Sequence, residues 1–122
     1  MNQRVAFVSG HLDLTQEEFD REYTPKIGNV HTSGGSFVVG DARGADTMFQ
    51  AYAAEHGLRV TVFHMFESPR NNVGNFPTCG GSTSDKNRDE SMTVASTEDI
   101  AWVRPGRENS GTAKNLKRRS KR

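Results

Sequence analysis

Short apolar segments that stop at glycine alternate with stretches of helical periodicity, and this alternation does most to limit the fold. Arg4-Val5-Ala6-Phe7-Val8-Ser9-Gly10 and Ser36-Phe37-Val38-Val39-Gly40 are apolar runs that break at small residues, as buried strands entering tight turns do. Between them, Thr15-Gln16-Glu17-Glu18 has the form of a capping box, and Phe19, Tyr23 and Ile27 follow at four-residue spacing on one helix face. After Gly40, Ala45, Met48, Phe49, Tyr52 and Ala53 form a second apolar helix face, which Gly57 is placed to end. Leu58 to Met65 is a third strand. Residues 66–83, rich in proline, asparagine and glycine, lose all periodicity and read as an irregular loop or lid. Asp85 to Ser96 recovers a helical pattern with Arg88, Met92 and Ala95 on one face; Asp99 to Val103 is a fourth strand, and Ser110-Gly111-Thr112 opens a last helix.

Strands alternating with helices in this order imply a parallel sheet covered on both faces. Right-handed crossovers make it a Rossmann-like, doubly wound α/β fold: three layers, α/β/α, around a four-stranded parallel sheet of expected order 3-2-1-4. Strands 1 and 4 then flank the point where chain direction reverses, where such sheets bind ligands. The expected organisation is a single domain over residues 1–116 with a basic C-terminal tail at 117–122.

Composition narrows the function classes. With 122 residues, 33% of them hydrophobic, and a mean hydropathy of −0.74, the core is small. No apolar run approaches the roughly 20 residues that span a bilayer, and Met1-Asn2-Gln3-Arg4 leads directly into a strand rather than a secretory signal. A lone cysteine, Cys79, leaves no internal disulfide and no cysteine-built zinc site, so a cytoplasmic protein without membrane contact is expected. The net charge of +1 conceals an asymmetry, because Lys114 to Arg122 carries six of the sixteen basic residues and no acid. Residues 1–113 are mildly acidic, with ten bases against fifteen acids, which is not the uniform basic face of a dedicated nucleic-acid binder. The tail reads as a solvated helix end able to make weak nucleic-acid contact.

The chemistry-bearing residues lie just after strands 1, 2 and 4, at the carboxyl edge of the sheet. They are Ser9 and Gly10; Gly40, Arg43, Gly44 and Asp46; and Pro105, Gly106, Ser110, Gly111 and Thr112. Glycine after a strand lets backbone amides approach an anion, and the following helix N-terminus adds free amides and a positive dipole end. Ser110 and Thr112 supply hydroxyl donors, and Arg43 and Arg88 supply forked cations. Asp46 can cap its helix or bond a ribose hydroxyl. His11, His31, His56 and His64 have no ligand spacing, so neither a metal nor a cofactor is expected. Tyr23, Tyr52 and Trp102 read as core.

Gly40-Asp41-Ala42-Arg43-Gly44-Ala45-Asp46 resembles the "GGARGAD" turn of the SLOG superfamily, which includes the LOG phosphoribohydrolases, DprA-like proteins and YspA-like proteins. Arg88-Asp89-Glu90-Ser91-Met92 resembles that family's "R-(N/D/K)-x-x-M" helix, and Pro105-Gly106 with Ser110-Gly111-Thr112 resembles its "PGG-x-GT" phosphate turn. The resemblance runs from Val5 to Leu116. It implies a Rossmann-like domain, a homodimer, and a nucleotide or nucleotide-derived ligand held by the residues above together with Met92 and Asn115. It also carries a departure: Asn115 stands where the LOG enzymes have a glutamate implicated in cleaving the N-glycosidic bond. An amide cannot act as nucleophile or general base. The expected function is therefore nucleotide binding as a sensor, sequestering or accessory protein. Alternatives are a nucleotide N-glycosidase using Asp41, Asp89 or Glu108, and a nucleic-acid accessory protein engaging through the basic tail.

Overall fold

The computed structural model describes residues 3–121, so Met1 and Asn2 of the expected domain and Arg122 of the expected tail lie outside the described residues. The elements run β1 (Val5–Val8), α1 (Gln16–Glu22), α2 (Thr24–Thr32), β2 (Ser36–Val39), α3 (Ala45–His56), β3 (Val60–Met65), β4 (Thr78–Ser82), α4 (Asp85–Ala95), β5 (Glu98–Ile100) and α5 (Gly111–Ser120). The sheet is parallel throughout, in the order β4-β3-β2-β1-β5. Its class is the expected α/β, but it has five strands, not four. The extra strand lies at the edge, inside the segment expected to be irregular.

That segment escaped a strand assignment because Thr78-Cys79-Gly80-Gly81-Ser82 has almost no apolar content and is mostly exposed. Gly80 lies against the His64 ring, where a Cβ would collide. Residues 66–77 form a crossover without a helix, long enough to join two parallel strands, and they are tied down rather than loose. Buried Gln50 of α3 donates from Nε2 to Gly40 O (3.0 Å) and Asn71 O (3.3 Å), and its Oε1 accepts from Val73 N (2.8 Å).

Strand alternation sorts the core onto two faces. Ala6, Val8, Phe37, Val39 and Val62 meet α1–α3 through Phe19, Tyr23, Ile27, Val30, Phe49 and Ala53. The opposite face is much smaller: Phe7, Val38 and Phe63 meet Met92 of α4. The single helix implied by Phe19, Tyr23 and Ile27 is two helices, because Pro25 in the first turn of α2 has no amide proton and crowds the preceding turn. All three residues nevertheless stay buried. In α4 the buried face is Arg88, Met92 and Thr93, while Ala95 is exposed. Strand β5 stops at Ile100, so Trp102 leaves the sheet and is only partly buried, as is Tyr52.

The basic C-terminus is not a separate solvated tail. Helix α5 continues to Ser120, and Arg119 forks onto Asp99 (Nε–Oδ2 2.8 Å) while also donating to Ser96 O (3.2 Å). Lys114, Lys117 and Lys121 remain exposed. No helix among the described residues is long and apolar enough to cross a membrane.

Candidate functional site

The carboxyl ends of β1, β2 and β5 open into one cleft of about 770 Å³. Gly44 brings its walls together. Its φ of +78° suits glycine, and a Cβ there would strike the Leu12 carbonyl, so the turn after β2 closes onto the loop after β1 through Ala45 N donating to His11 O (3.1 Å). A side chain on Gly10 would likewise meet Ala45 Cβ at 2.5 Å, so glycine here lets the α3 N-terminus reach the end of β1. Tyr23 fixes the same corner: its hydroxyl donates to Ser9 O (2.8 Å) and accepts from Trp102 N (3.1 Å), and burial pushes its pKa up to about 12.

Two helix N-termini face this cleft. At α5, the Ser110 hydroxyl accepts from Ala113 N (3.2 Å), leaving the first-turn amides of Gly111 and Thr112 without intrahelical acceptors. Ser9, Thr112 and Asn115 line the same wall and are buried. Ser9 Oγ has no hydrogen-bond partner among the described residues. Asn115 Oδ1 accepts from Arg118 (2.6 Å), which leaves its amide nitrogen as the group available to the cleft. At α3, Asp46 accepts from Ala42 N (3.2 Å) through Oδ2 and stays buried, so burial pushes its pKa up to about 7 despite the nearby Arg88 charge. Asp46 is not the cap, since Gly44 holds that position. Phe7 and Met92 form an apolar floor, and Leu12 is exposed at the mouth.

The opposite wall is an arginine–carboxylate network. Arg88 directs Nη1 to Asp41 Oδ1 (2.7 Å) and Nε and Nη2 to Asp89 Oδ1 (3.1 and 2.9 Å). Arg70 grips Asp41 with its backbone N (2.8 Å), Nε (3.2 Å) and Nη2 (2.8 Å), and Nη2 also reaches Asp85 (2.8 Å). Burial alone would raise the Asp41 pKa, but the bonds from Arg70 and Arg88 outweigh it and hold the carboxyl at about 2. At the mouth, Arg104 binds Glu18 (2.6 Å) and Asp13 (3.1 Å), and Arg107 binds Asp13 (2.9 Å). The Arg104 bond holds Glu18 at about 2. His11 Nε2 accepts from Arg104 N (2.9 Å), which assigns the proton of the neutral ring to Nδ1. Burial, helped by the charges of Arg104 and Arg107, lowers the His11 pKa and favours that neutral form.

Of the residues expected at the site, Ser9, Gly10, Gly40, Arg43, Asp46, Arg88, Met92, Ser110, Gly111, Thr112 and Asn115 line the cleft. Gly44, Pro105 and Gly106 do not; Gly44 acts behind the wall, and Gly106 sits in an exposed turn, its amide donating to Glu108 Oε2 (2.8 Å). Arg88 lines the cleft, but its guanidinium is committed to carboxylates. Arg43 is exposed and makes no ion pair among the described residues, which leaves it as a free cation at the rim. Sequence reasoning missed Arg70, Asn71 and Asp85. The available signal was topological: a segment leaving a parallel strand begins at the carboxyl edge, so the start of the crossover belongs beside the site. Among the carboxylates considered for catalysis, Asp41 has both oxygens bound to arginine, Asp89 is paired with Arg88, and Glu108 does not line the cleft. Among the described residues no cluster of His, Cys, Asp and Glu is arranged to hold a metal ion. The chain matches no family model, no curated protein and no solved structure.

Proposed function

We propose that this protein is a SLOG-type domain that binds a nucleotide or nucleotide-derived ligand in the cleft, acting as a sensor, sequestering or accessory protein. The observation that carries the reading is Ser9 Oγ, a buried hydroxyl without a partner among the described residues, in a cleft faced by two helix N-termini. An unsatisfied buried polar group costs about 1–3 kcal/mol, and a ligand oxygen relieves that cost. Helix N-termini and first-turn amides favour anions, which suits a phosphate against Ser9, Gly111 and Thr112. The apolar floor of Phe7 and Met92 suits the ring portion of the same ligand. A hydrolytic reading is weaker, because Asn115 has no carboxylate and Asp41 is consumed by its arginines.

The test is unbiased. Protein purified under native conditions is extracted, and small molecules present in stoichiometric proportion are identified by mass spectrometry. A phosphorylated nucleoside derivative, lost from a Ser9→Val and Gly111→Pro double variant that still folds, is the expected result. Recovery of none, together with no binding of a nucleotide panel by calorimetry, would remove the reading.

A further inference from the structure

Among the described residues, Asp46 is the one cleft-lining carboxyl that forms no ion pair with an arginine. It lies in the first turn of α3, packed so closely that a Cβ on Gly40 would sit 2.7 Å from its Oδ2 and 2.9 Å from the Arg88 guanidinium carbon. Yet the guanidinium turns its nitrogens elsewhere, to Asp41, Asp85 and Asp89. Arg70, on the crossover, is taken by Asp41 and Asp85. The hydrogen bond that Asp46 receives comes from Ala42 N to Oδ2, and Oδ1 has no partner among the described residues.

We propose that the cleft takes up a phosphate-bearing ligand together with one proton, which resides on Asp46 Oδ1 and is donated to a phosphate oxygen. The inference rests on the nucleotide reading of the cleft and adds which form of Asp46 recognises the ligand.

A charged carboxylate beside a phosphate is repelled, whereas a carboxylic acid donates a short O–H···O⁻ bond to it. Of the groups facing Asp46, Arg88 favours its charged form through its own charge but turns its nitrogens to Asp41, Asp85 and Asp89, so among the described residues no cation is paired with Asp46. From α4 come Asp85, Arg88 and Asp89, from the β2–α3 turn Asp41, from the crossover Arg70, from α2's entry Tyr23, and from the β1–α1 loop neutral His11. The acids there engage the two arginines, Arg107 beside the α5 wall is taken by Asp13, Arg43 stays at the exposed rim without an ion pair among the described residues, and Ser110, Thr112 and Asn115 are uncharged. Finally, burial has already brought the free carboxyl to a pKa of about 7, so a neighbouring anion needs to shift it only modestly for the proton to be held at neutral pH and above.

The experiment is isothermal titration calorimetry of AMP, and separately of inorganic phosphate, into the full-length protein at pH 8 in two buffers of different ionisation enthalpy. Net proton uptake on binding is expected. Affinity for AMP should fall by up to about tenfold per pH unit between pH 7.5 and 9. Asp46→Asn, whose amide donates without titrating, should abolish both the uptake and the pH dependence. Should that variant fail to fold, ¹³C NMR of the wild-type Asp46 carboxyl at pH 8 should report protonation on saturation with AMP. Binding of AMP without proton uptake, or uptake that persists in Asp46→Asn and so belongs to the phosphate, overturns the proposal and leaves the nucleotide reading intact. Failure of both probes to bind at any pH overturns this proposal, while the nucleotide reading stands or falls on the extraction and the nucleotide panel.

Discussion

Arg88 is 6% exposed and makes its bonds to carboxylates from the β2–α3 turn and its own helix. An arginine this deep is tolerated only when paired. Its role is therefore to hold Asp41 and α4 in place, and the phosphate-clamping role implied by the sequence resemblance has no free nitrogen to serve it. Arg88→Ala leaves buried Asp41 with Arg70 alone and half-buried Asp89 without its arginine, and breaking a buried pair costs about 3–5 kcal/mol. Urea unfolding should show a loss of that size at pH 7. The folded Asp41 carboxyl, at about 2, lies below its ordinary 3.8, so its contribution is present above pH 4 and lost as the pH falls toward 2. The variant should accordingly show a shallower acid limb than wild type. A loss under about 1 kcal/mol would mean that Arg70 alone satisfies Asp41. What the sequence reveals at this scale is local: the Thr15 capping box and the Ser110 cap are complete within four residues. The pairs Arg70–Asp41 and Arg88–Asp41 span separations of 29 and 47 residues, and no spacing rule reaches them.

At the scale of elements, helix α3 is readable because apolar period and end signals agree, with Gly57 closing it at φ 66°, whereas α5 shows only its start at Ser110 and runs on through the segment expected to be a tail. Strand β4 is not readable, because its pairing is backbone to backbone and its side chains carry no burial pattern. The α1–α2 break was visible only as Pro25, against an apolar spacing that argued for continuity. The crossover between β3 and β4 is anchored at its start by the bonds of Arg70 and Asn71 to Asp41 and at its middle by Gln50, which is fully buried and serves Gly40 O, Asn71 O and Val73 N together. Gln50→Leu keeps the apolar bulk and strands those backbone groups, at about 1–3 kcal/mol for each left unsatisfied. A destabilisation of about 2 kcal/mol or more is expected, with faster hydrogen exchange at the Val73 amide. If Val73 keeps its protection in the variant, the crossover is anchored elsewhere, through Arg70 and Asn72.

Across the whole molecule, the two helical layers are held by different forces. The α1–α3 layer buries a large apolar cluster, whereas α4 and α5 meet the sheet over four buried apolar residues and otherwise through polar groups. Arg119 bonds Asp99 and Ser96, and Arg88 bonds Asp41 and Asp89. Burial of apolar area contributes about 25 cal/mol per Å², while ion pairs offset much of their attraction by desolvation. The α4–α5 layer should therefore open first. Native-state hydrogen exchange in rising urea tests this, with amides of α5 and α4 expected to exchange through a sub-global opening of lower free energy than those of α3. The cleft spans both layers, since Ala42, Arg43 and Asp46 belong to one side and Ser110, Thr112 and Asn115 to the other. A ligand bridging them adds its binding free energy to the opening of the weaker layer, so AMP at saturating concentration should raise protection in α5 more than in α3. Uniform opening of all five helices at one free energy would show instead that the arginine–carboxylate network couples the layers as tightly as the apolar core does. Ligand-induced protection confined to one of the two helices would place the bound molecule entirely on one wall.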